Sequence, residues 1–404
     1  MKPEKSKARN GWRTVKLGEV CELNPRRPKL ERATTTPTTF VQMSAVAENG
    51  GGIVRPETRP FGQVAKGYTF FAEGDVIFAK ITPCMQNGKH AIAGNLLDGI
   101  GFGSTEFHVF RPGGEIISEW ILNFLLQPKI SAEAERHFTG AVGQQRVPEN
   151  ILADMEIALP PVQEQRRIAA QLREQMAEVN RARAAVQAQL ETAQALPAAL
   201  LRDVFDSRAA KKWPLRRLGD SLVLRKEIVH PSDNPKGPAI FVGLEHVESQ
   251  MGKRIGGVNV EMAELTGRKP RFRTGDIVYG YLRPYLNKVW VADFDGLCSV
   301  DQYAYSVRSD IADTGFIAWF MRSPCYLERA PIGDTPGQLP RIRLEEVASV
   351  QIGLPPLAEQ RAVAKRIETE IGAFIQLRDS LQTRLAEIEL LPAALLRSAF
   401  SQQN

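Results

Sequence analysis

The sequence predicts an α+β protein made by internal duplication, with two globular domains separated by two long helices that pair as an antiparallel coiled coil under a pseudo-two-fold axis. Three observations predict it. Leu159-Pro160-Pro161-Val162-Gln163-Glu164-Gln165-Arg166-Arg167-Ile168-Ala169 recurs 195 residues later from Leu354 to Ala364, with seven of eleven positions identical. Leu196 to Phe205 recurs at the same offset as Leu391 to Phe400, with eight of ten identical. Between these motifs Leu172, Met176, Val179, Arg183, Val186, Leu190 and Ala193 are spaced 4, 3, 4, 3, 4, 3, and Ile367, Ile371, Phe374, Arg378, Leu381, Leu385 and Ile388 repeat that spacing. Such a seam, sustained over about three heptads, marks helices that pack on one another.

At the start of the chain, Met1 to Asn10 has basic residues with no apolar stretch behind them, so it reads as a solvated tail and not as a secretory signal. Short apolar runs punctuated by Gly, Pro, Thr and Asn, such as Val76-Ile77-Phe78 and Thr105-Glu106-Phe107-His108-Val109-Phe110, read as strands of the first domain. Leu-Pro-Pro starts the first helix, and no proline interrupts until Pro197; in the second copy the next is Pro392. The second domain echoes the first: Trp12 and Lys16-Leu17-Gly18-Glu19 face Trp213 and Arg217-Leu218-Gly219-Asp220, and Gly74-Asp75-Val76-Ile77 faces Gly275-Asp276-Ile277-Val278, both at an offset of 201. Arg183 and Arg378 share one seam position, where either a snorkelling side chain or a register-setting polar contact would fit.

With 404 residues, the chain is long enough for two or three domains of about 100–200 residues each. No apolar run approaches the roughly 18 residues of a membrane helix. Four scattered cysteines without a C-x-x-C, and five histidines far apart, favour neither a disulfide framework nor a metal cluster, and a reducing cytoplasm is expected. The net charge of +6 resolves along the duplication. Residues 161–206 and 356–403 each carry six basic and six acidic side chains, whereas residues 1–160 hold 19 against 17 and residues 207–355 hold 21 against 17. The helices are therefore neutral spacers or partner surfaces, and the basic excess lies in the domains.

That excess has two equivalent places to act. After the Gly-Asp strand come Lys80, Thr82, Gln86, Asn87 and Lys89 in the first copy, and Tyr281, Arg283, Tyr285, Asn287 and Lys288 in the second. Before each helix come Gln144, Gln145 and Arg146, and Gln338, Arg341 and Arg343. These side-chain types reach base edges and phosphates, so both loop pairs are candidate DNA contacts. A helix of roughly 34 residues at about 1.5 Å per residue is a rod of about 50 Å, long enough to hold two reading heads about one turn of DNA apart.

The Leu-Pro-Pro-x-x-Glu-Gln-Arg entry motif, the Leu-Pro-x-Ala-Leu-Leu-Arg-x-x-Phe exit motif, and Gly74-Asp75 followed by Ile81-Thr82-Pro83-Cys84-Met85-Gln86-Asn87-Gly88-Lys89 resemble the specificity subunit of type I restriction-modification systems. The resemblance runs from Trp12 to Phe400. It implies target-recognition domains at 1–160 and 207–355, each reading one half of a bipartite, asymmetric sequence in double-stranded DNA, with spacer helices at 161–206 and 356–404. It also implies two docked methyltransferase subunits that bind S-adenosylmethionine, a separate restriction and translocation subunit, and no cofactor or metal on this chain. The loops named above are those such families turn towards DNA.

The chain itself offers no convincing catalytic set. Gly99-Ile100-Gly101-Phe102-Gly103 imitates a cofactor loop, but the residues after it alternate like a strand instead of opening a helix. Asn24-Pro25-Arg26-Arg27 lacks the second proline and the aromatic of an adenine methyltransferase, and Asp75 with Lys80 is a poor nuclease pair because Tyr281 stands at the aligned position. A non-catalytic, cytoplasmic specificity subunit is thus expected. The other reading is a free-standing two-site DNA-binding protein whose helices serve only as a ruler; apolar Leu200, Leu201, Leu395 and Leu396 outside the seam would favour docked partners.

Overall fold

The structure is a computed structural model that describes residues 12–141, 143–332 and 339–401. The tail at residues 1–10 and Gln338 lie outside them. The chain divides into two compact units, one holding everything up to Ala185 together with Leu385 onward, the other Val186–Arg384.

In the first unit Arg13–Lys16 pairs antiparallel with Glu156–Leu159, which brings the two ends of the domain together. One four-stranded sheet runs in the order Cys21–Leu23, Phe107–Pro112, Val76–Ala79, His90–Ile92, with Ile77 opposite Val109. The other runs Glu57–Pro60, Pro37–Val41, Ile100–Gly103, Thr69–Ala72. The glycine run is therefore a strand. A Cβ on Gly101 would come within 2.3 Å of the Phe71 ring, and one on Gly103 within 2.5 Å of the Val41 carbonyl oxygen, so these glycines serve close packing.

The second unit repeats this order. Leu215–Arg217 pairs with Gln351–Gly353, and one sheet runs Leu222–Leu224, Gln302–Val307, Ile277–Gly280, Val289–Val291. The other sheet runs Val258–Glu261, Pro238–Val242, Gly296–Cys298, Lys269–Phe272 and gains a fifth strand, Ile228–Val229. In both units the pairing between the second and third strands of this sheet, Pro37–Val41 with Ile100–Gly103 and Pro238–Val242 with Gly296–Cys298, is parallel.

Two helices of 45 residues, Val162–Asp206 and Leu357–Ser401, match the periodicity closely. Pro197 and Pro392 do not end them. A proline costs an interior helix one hydrogen bond, and burial of the following exit motif offsets it, so each helix is about 68 Å long instead of 50 Å. Along the seam Leu172, Val186, Leu190, Ala193, Ile367, Ile371, Leu381 and Ile388 are buried. The two seam arginines differ: Arg183 is exposed, while half-buried Arg378 donates to Asp379 (3.0 Å) and Glu248 (3.4 Å).

The duplicated motifs are the joints between helix and domain. Gln165 is fully buried; its Oε1 accepts from the Ile117 N–H (3.0 Å) and its Nε2 donates to the carbonyls of Glu115 and Pro160 (2.8 Å each). Gln360 repeats this with the Asp313 N–H (2.9 Å) and the carbonyls of Ile311 (3.1 Å) and Pro355 (2.8 Å). The exit motif docks elsewhere: Leu396, Ala399 and Phe400 share the first unit's core with Ile168 and Leu172, and Leu201, Val204 and Phe205 share the second unit's core with Ala364, Ile367 and Ile371. Each unit thus uses the start of one helix and the end of the other, which is antiparallel pairing. Leu201 and Leu396 are buried, and Leu200 and Leu395 pack against the same cores. They are not a partner surface, which corrects the expectation placed on them.

Candidate nucleic-acid interface

In each unit two loops far apart in sequence are tied into one surface by the backbone. In the first, Thr82 N–H donates to the Gln145 carbonyl (2.9 Å), Gln145 N–H to Thr82 Oγ1 (3.1 Å), and Val147 N–H to the Lys80 carbonyl (3.0 Å). In the second, Arg283 N–H donates to the Pro340 carbonyl (2.7 Å) and Ile342 N–H to the Tyr281 carbonyl (3.1 Å). Isolated bridges pair Ile81 with Arg146 and Leu282 with Arg341 at matching places. The strand before each loop is anchored below by a buried aspartate: Asp75 accepts two bonds from Arg111 (2.9 and 2.7 Å), and Asp276 is gripped by Arg225. The Gly-Asp motif is therefore a structural clamp, and Asp75 is not available to a metal.

Gln86, Asn87 and Gln144 are exposed, and Lys80, Thr82, Lys89, Gln145 and Arg146 are half-buried. Asn87 Nδ2 donates to Glu48 (2.8 Å). In the second unit Arg283, Tyr285, Arg341 and Arg343 are exposed, and Tyr281 stacks on Tyr303 with centroids 4.4 Å apart. Lys288 donates its ammonium to the Leu244 carbonyl (2.7 Å), so one of its three N–H donors is already engaged. Asn287 departs from the expectation. It is 1% exposed, sits at φ +47° where asparagine closes a turn, and donates Nδ2 to the Arg322 carbonyl (2.8 Å). Its side chain is buried inside the domain.

Two contributors escaped the sequence reading. Glu106 stands in a segment read as strand, yet it occupies a turn and binds Arg146 through both carboxylate oxygens (2.8 Å each). The Arg146 guanidinium holds the Glu106 carboxyl below its ordinary range, and Glu106 raises Arg146 in turn. Tyr303 forms the floor under Tyr281, and burial pushes the Tyr281 hydroxyl pKa up. Alternation marks position 303 only as strand. Below the first unit's loops, His108 is held neutral by burial, donating Nε2–H to the Val147 carbonyl (3.0 Å) and accepting at Nδ1 from Asn24 (3.0 Å). Among the described residues no group of three or more His, Cys, Asp or Glu could hold a metal ion, and no helix is long and apolar enough to cross a membrane.

Duplicated α+β domains that display paired polar loops, each seated on the start and end of shared helices, define the class. Residues 9–191, a little under half of the chain, match the type I restriction modification DNA specificity domain. It is similar to the specificity subunits of the Escherichia coli type I restriction enzymes EcoEI and EcoAI, 38% identical to each over 160 and 161 residues, which is 39% of this chain and 26% and 27% of theirs. It is 30% identical to the EcoDI specificity subunit over 188 residues, 46% of this chain and 41% of that one. The matches to EcoEI and EcoAI thus span about a quarter of those relatives' length. Two solved structures share the fold over nearly the whole chain, both at 23% identity. One is from work on complex assembly and conformational transition of the type I R-M system (TM-score 0.77, 99% of this chain and 100% of that one). The other is the HsdS subunit from Thermoanaerobacter tengcongensis (TM-score 0.67, 100% of each).

Proposed function

We propose that this chain is the DNA-reading specificity subunit of a type I restriction-modification complex. Each unit reads one half of a bipartite, asymmetric target in double-stranded DNA through its pair of tied loops, and the helices set the spacing between the halves. The observation that carries this reading is the recurrence of one backbone-tied loop pair on two like-folded domains whose loop side chains differ, in a chain that matches the specificity domain over residues 9–191. Different side chains on the same frame imply different half-sites. The chain performs no chemistry itself; methyltransferase subunits docked on it bind S-adenosylmethionine and modify adenine, and a restriction subunit joins them. Exposed Leu377, Leu390 and Leu391 on the second helix, the middle one 69% exposed, support docking there.

Mapping methylated adenines in a host that carries the chain with its methyltransferase tests this, and the expected result is one bipartite motif with a fixed spacer. Inserting one heptad into both helices lengthens that spacer by about three base pairs, since seven residues add about 10 Å. Failure of methyltransferase subunits to co-purify would leave only a free-standing DNA-binding protein.

A further inference from the structure

The first unit contains an arginine that is oriented before any ligand arrives. Arg146 Nε and Nη2 donate to the two oxygens of Glu106 (2.8 Å each), and Nη1 donates to the Gln144 carbonyl (2.9 Å). A guanidinium carries five N–H donors, so two are left over. Both partners are anchored by the main chain. Arg146 and Thr139 exchange backbone bonds (2.9 Å each), the Glu106 carbonyl accepts from Lys80 N–H (2.9 Å), and Glu106 N–H donates to Ser104 Oγ (3.2 Å).

An ion pair with side chains 40% and 25% exposed adds little to stability. Its charge is also self-compensated, so it gains little from releasing counterions at a phosphate. What it retains is direction: a planar fork held in one orientation, with little rotamer freedom left to lose on binding. A fixed fork with two free donors suits the O6 and N7 acceptors of guanine in the major groove.

The second unit is built differently at the same place. Tyr281 N–H donates to the Asp301 carbonyl (3.1 Å) as Lys80 does to that of Glu106, and Arg341 bridges Leu282 as Arg146 bridges Ile81. The carboxylate there is one methylene shorter and faces Ser299 Oγ (3.5 Å). Arg341 is exposed and makes no ion pair among the described residues.

We propose that Glu106 is the positioning residue that presents Arg146 to a guanine in the half-site read by the first unit, and that Asp301, at the matching place in the second unit, does not position Arg341 in this way. This rests on the DNA-reading function above. The test selects sites from a randomised DNA pool with the chain in its methyltransferase complex, comparing wild type, Glu106→Gln and Arg146→Lys. Wild type is expected to prefer guanine at one position of one half-site. Glu106→Gln relaxes that preference about tenfold and Arg146→Lys removes it, while the second half-site keeps its sequence in both. Replacing that guanine by 7-deazaguanine, which lacks the N7 acceptor, weakens the wild type about tenfold and Glu106→Gln far less, a readout that a merely structural ion pair would not move. Unchanged base preference in Glu106→Gln, equal loss at both half-sites, or indifference of the wild type to 7-deazaguanine would overturn the proposal. Absence of any bipartite preference in the wild type would instead overturn the DNA-reading function.

Discussion

The two units share a sheet order and a pair of helix joints, yet they do the same structural jobs with different residues. The buried aspartate of the Gly-Asp turn takes its arginine from the neighbouring inner strand in the first unit, as Arg111, and from just after the edge strand in the second, as Arg225. Beneath the loop, His90 stacks on Phe78 at 4.0 Å in the first unit, where Val289 pairs with Tyr279 in the second. At the end of the core helix, Leu126 in the first unit gives way to Arg322 in the second. Arg322 is 7% exposed and lies over Trp319, and burial lowers its pKa to about 10. By contrast, Gln165 and Gln360 make the same three bonds. The joints therefore hold the frame constant while the interiors, and the loops above them, are free to differ.

The comparison can be broken at the joints first, where the effect is largest. Phe400 lies 4.3 Å from Trp120, and Phe205 lies 5.3 Å from Phe316. Truncating either to alanine costs about 3–5 kcal/mol. In urea unfolding followed by fluorescence, Phe400→Ala is expected to lower the first unit's transition and Phe205→Ala the second's. Equal loss in both transitions from either change would show that the units do not unfold separately.

Acid separates the units next. Burial lowers the His90 pKa to about 3. Between about pH 6.5 and 3 the unfolded chain binds a proton there that the folded unit excludes, so His90 supports the first unit above pH 6.5 and that support drains away as the pH falls. The loss is about 1.4 kcal/mol per pH unit, and the second unit, with Val289, has no counterpart at this position. His90→Val should flatten the first unit's pH dependence over that range; an unaltered slope would place the acid sensitivity elsewhere.

A smaller effect sharpens the clamp comparison. Asp75→Asn strands the Arg111 guanidinium, whereas Asp276→Asn leaves Arg225 its second partner Glu227 (3.2 Å); the two arginine side chains are 31% and 22% exposed. A loss of about 2 kcal/mol is expected in the first unit, below the full penalty for a buried pair because Arg111 reaches solvent, and a smaller loss in the second, where Glu227 still holds Arg225. Thermal melts that respond equally in the two units would mean that Glu227 does not hold Arg225 by itself. The smallest effect concerns charge at the loops. Lys80→Ala should reduce the salt slope of DNA binding by about one, whereas Lys288, bonded to the Leu244 carbonyl, should change it less. A larger change at Lys288 would show that this bond opens on DNA.

Periodicity made the helices legible, because a seam spaced 4, 3, 4, 3 that would fit an ordinary amphipathic helix if alone recurs in the same register, and the recurrence supplied the partner. It also misled at Pro197 and Pro392, where burial of the exit motif outweighs a broken hydrogen bond. The loops were legible as polar and basic segments, but their union was not. Thr82 and Gln145 are 63 residues apart, and only the sheet that brings both chain segments to one edge joins them. Asn287 shows the limit of residue type as a guide. The amide that could read a base also fits a left-handed turn, and nothing local to Pro284-Tyr285-Leu286-Asn287-Lys288 tells the two uses apart. Glu106 was passed over for the converse reason, since an acidic residue in a basic loop system draws no attention until its arginine is seen beside it.

The crossed seating of the helix ends also sets an order of assembly during synthesis. Every buried residue of the second unit's core, from Leu201 to Ile371, has been made before Leu396, Ala399 and Phe400 of the first unit's core exist. The domain translated first is therefore the one completed last. Until those three residues emerge, Trp120 and Phe124 keep an apolar face uncovered, and the nascent chain carries a finished second unit beside an open first one.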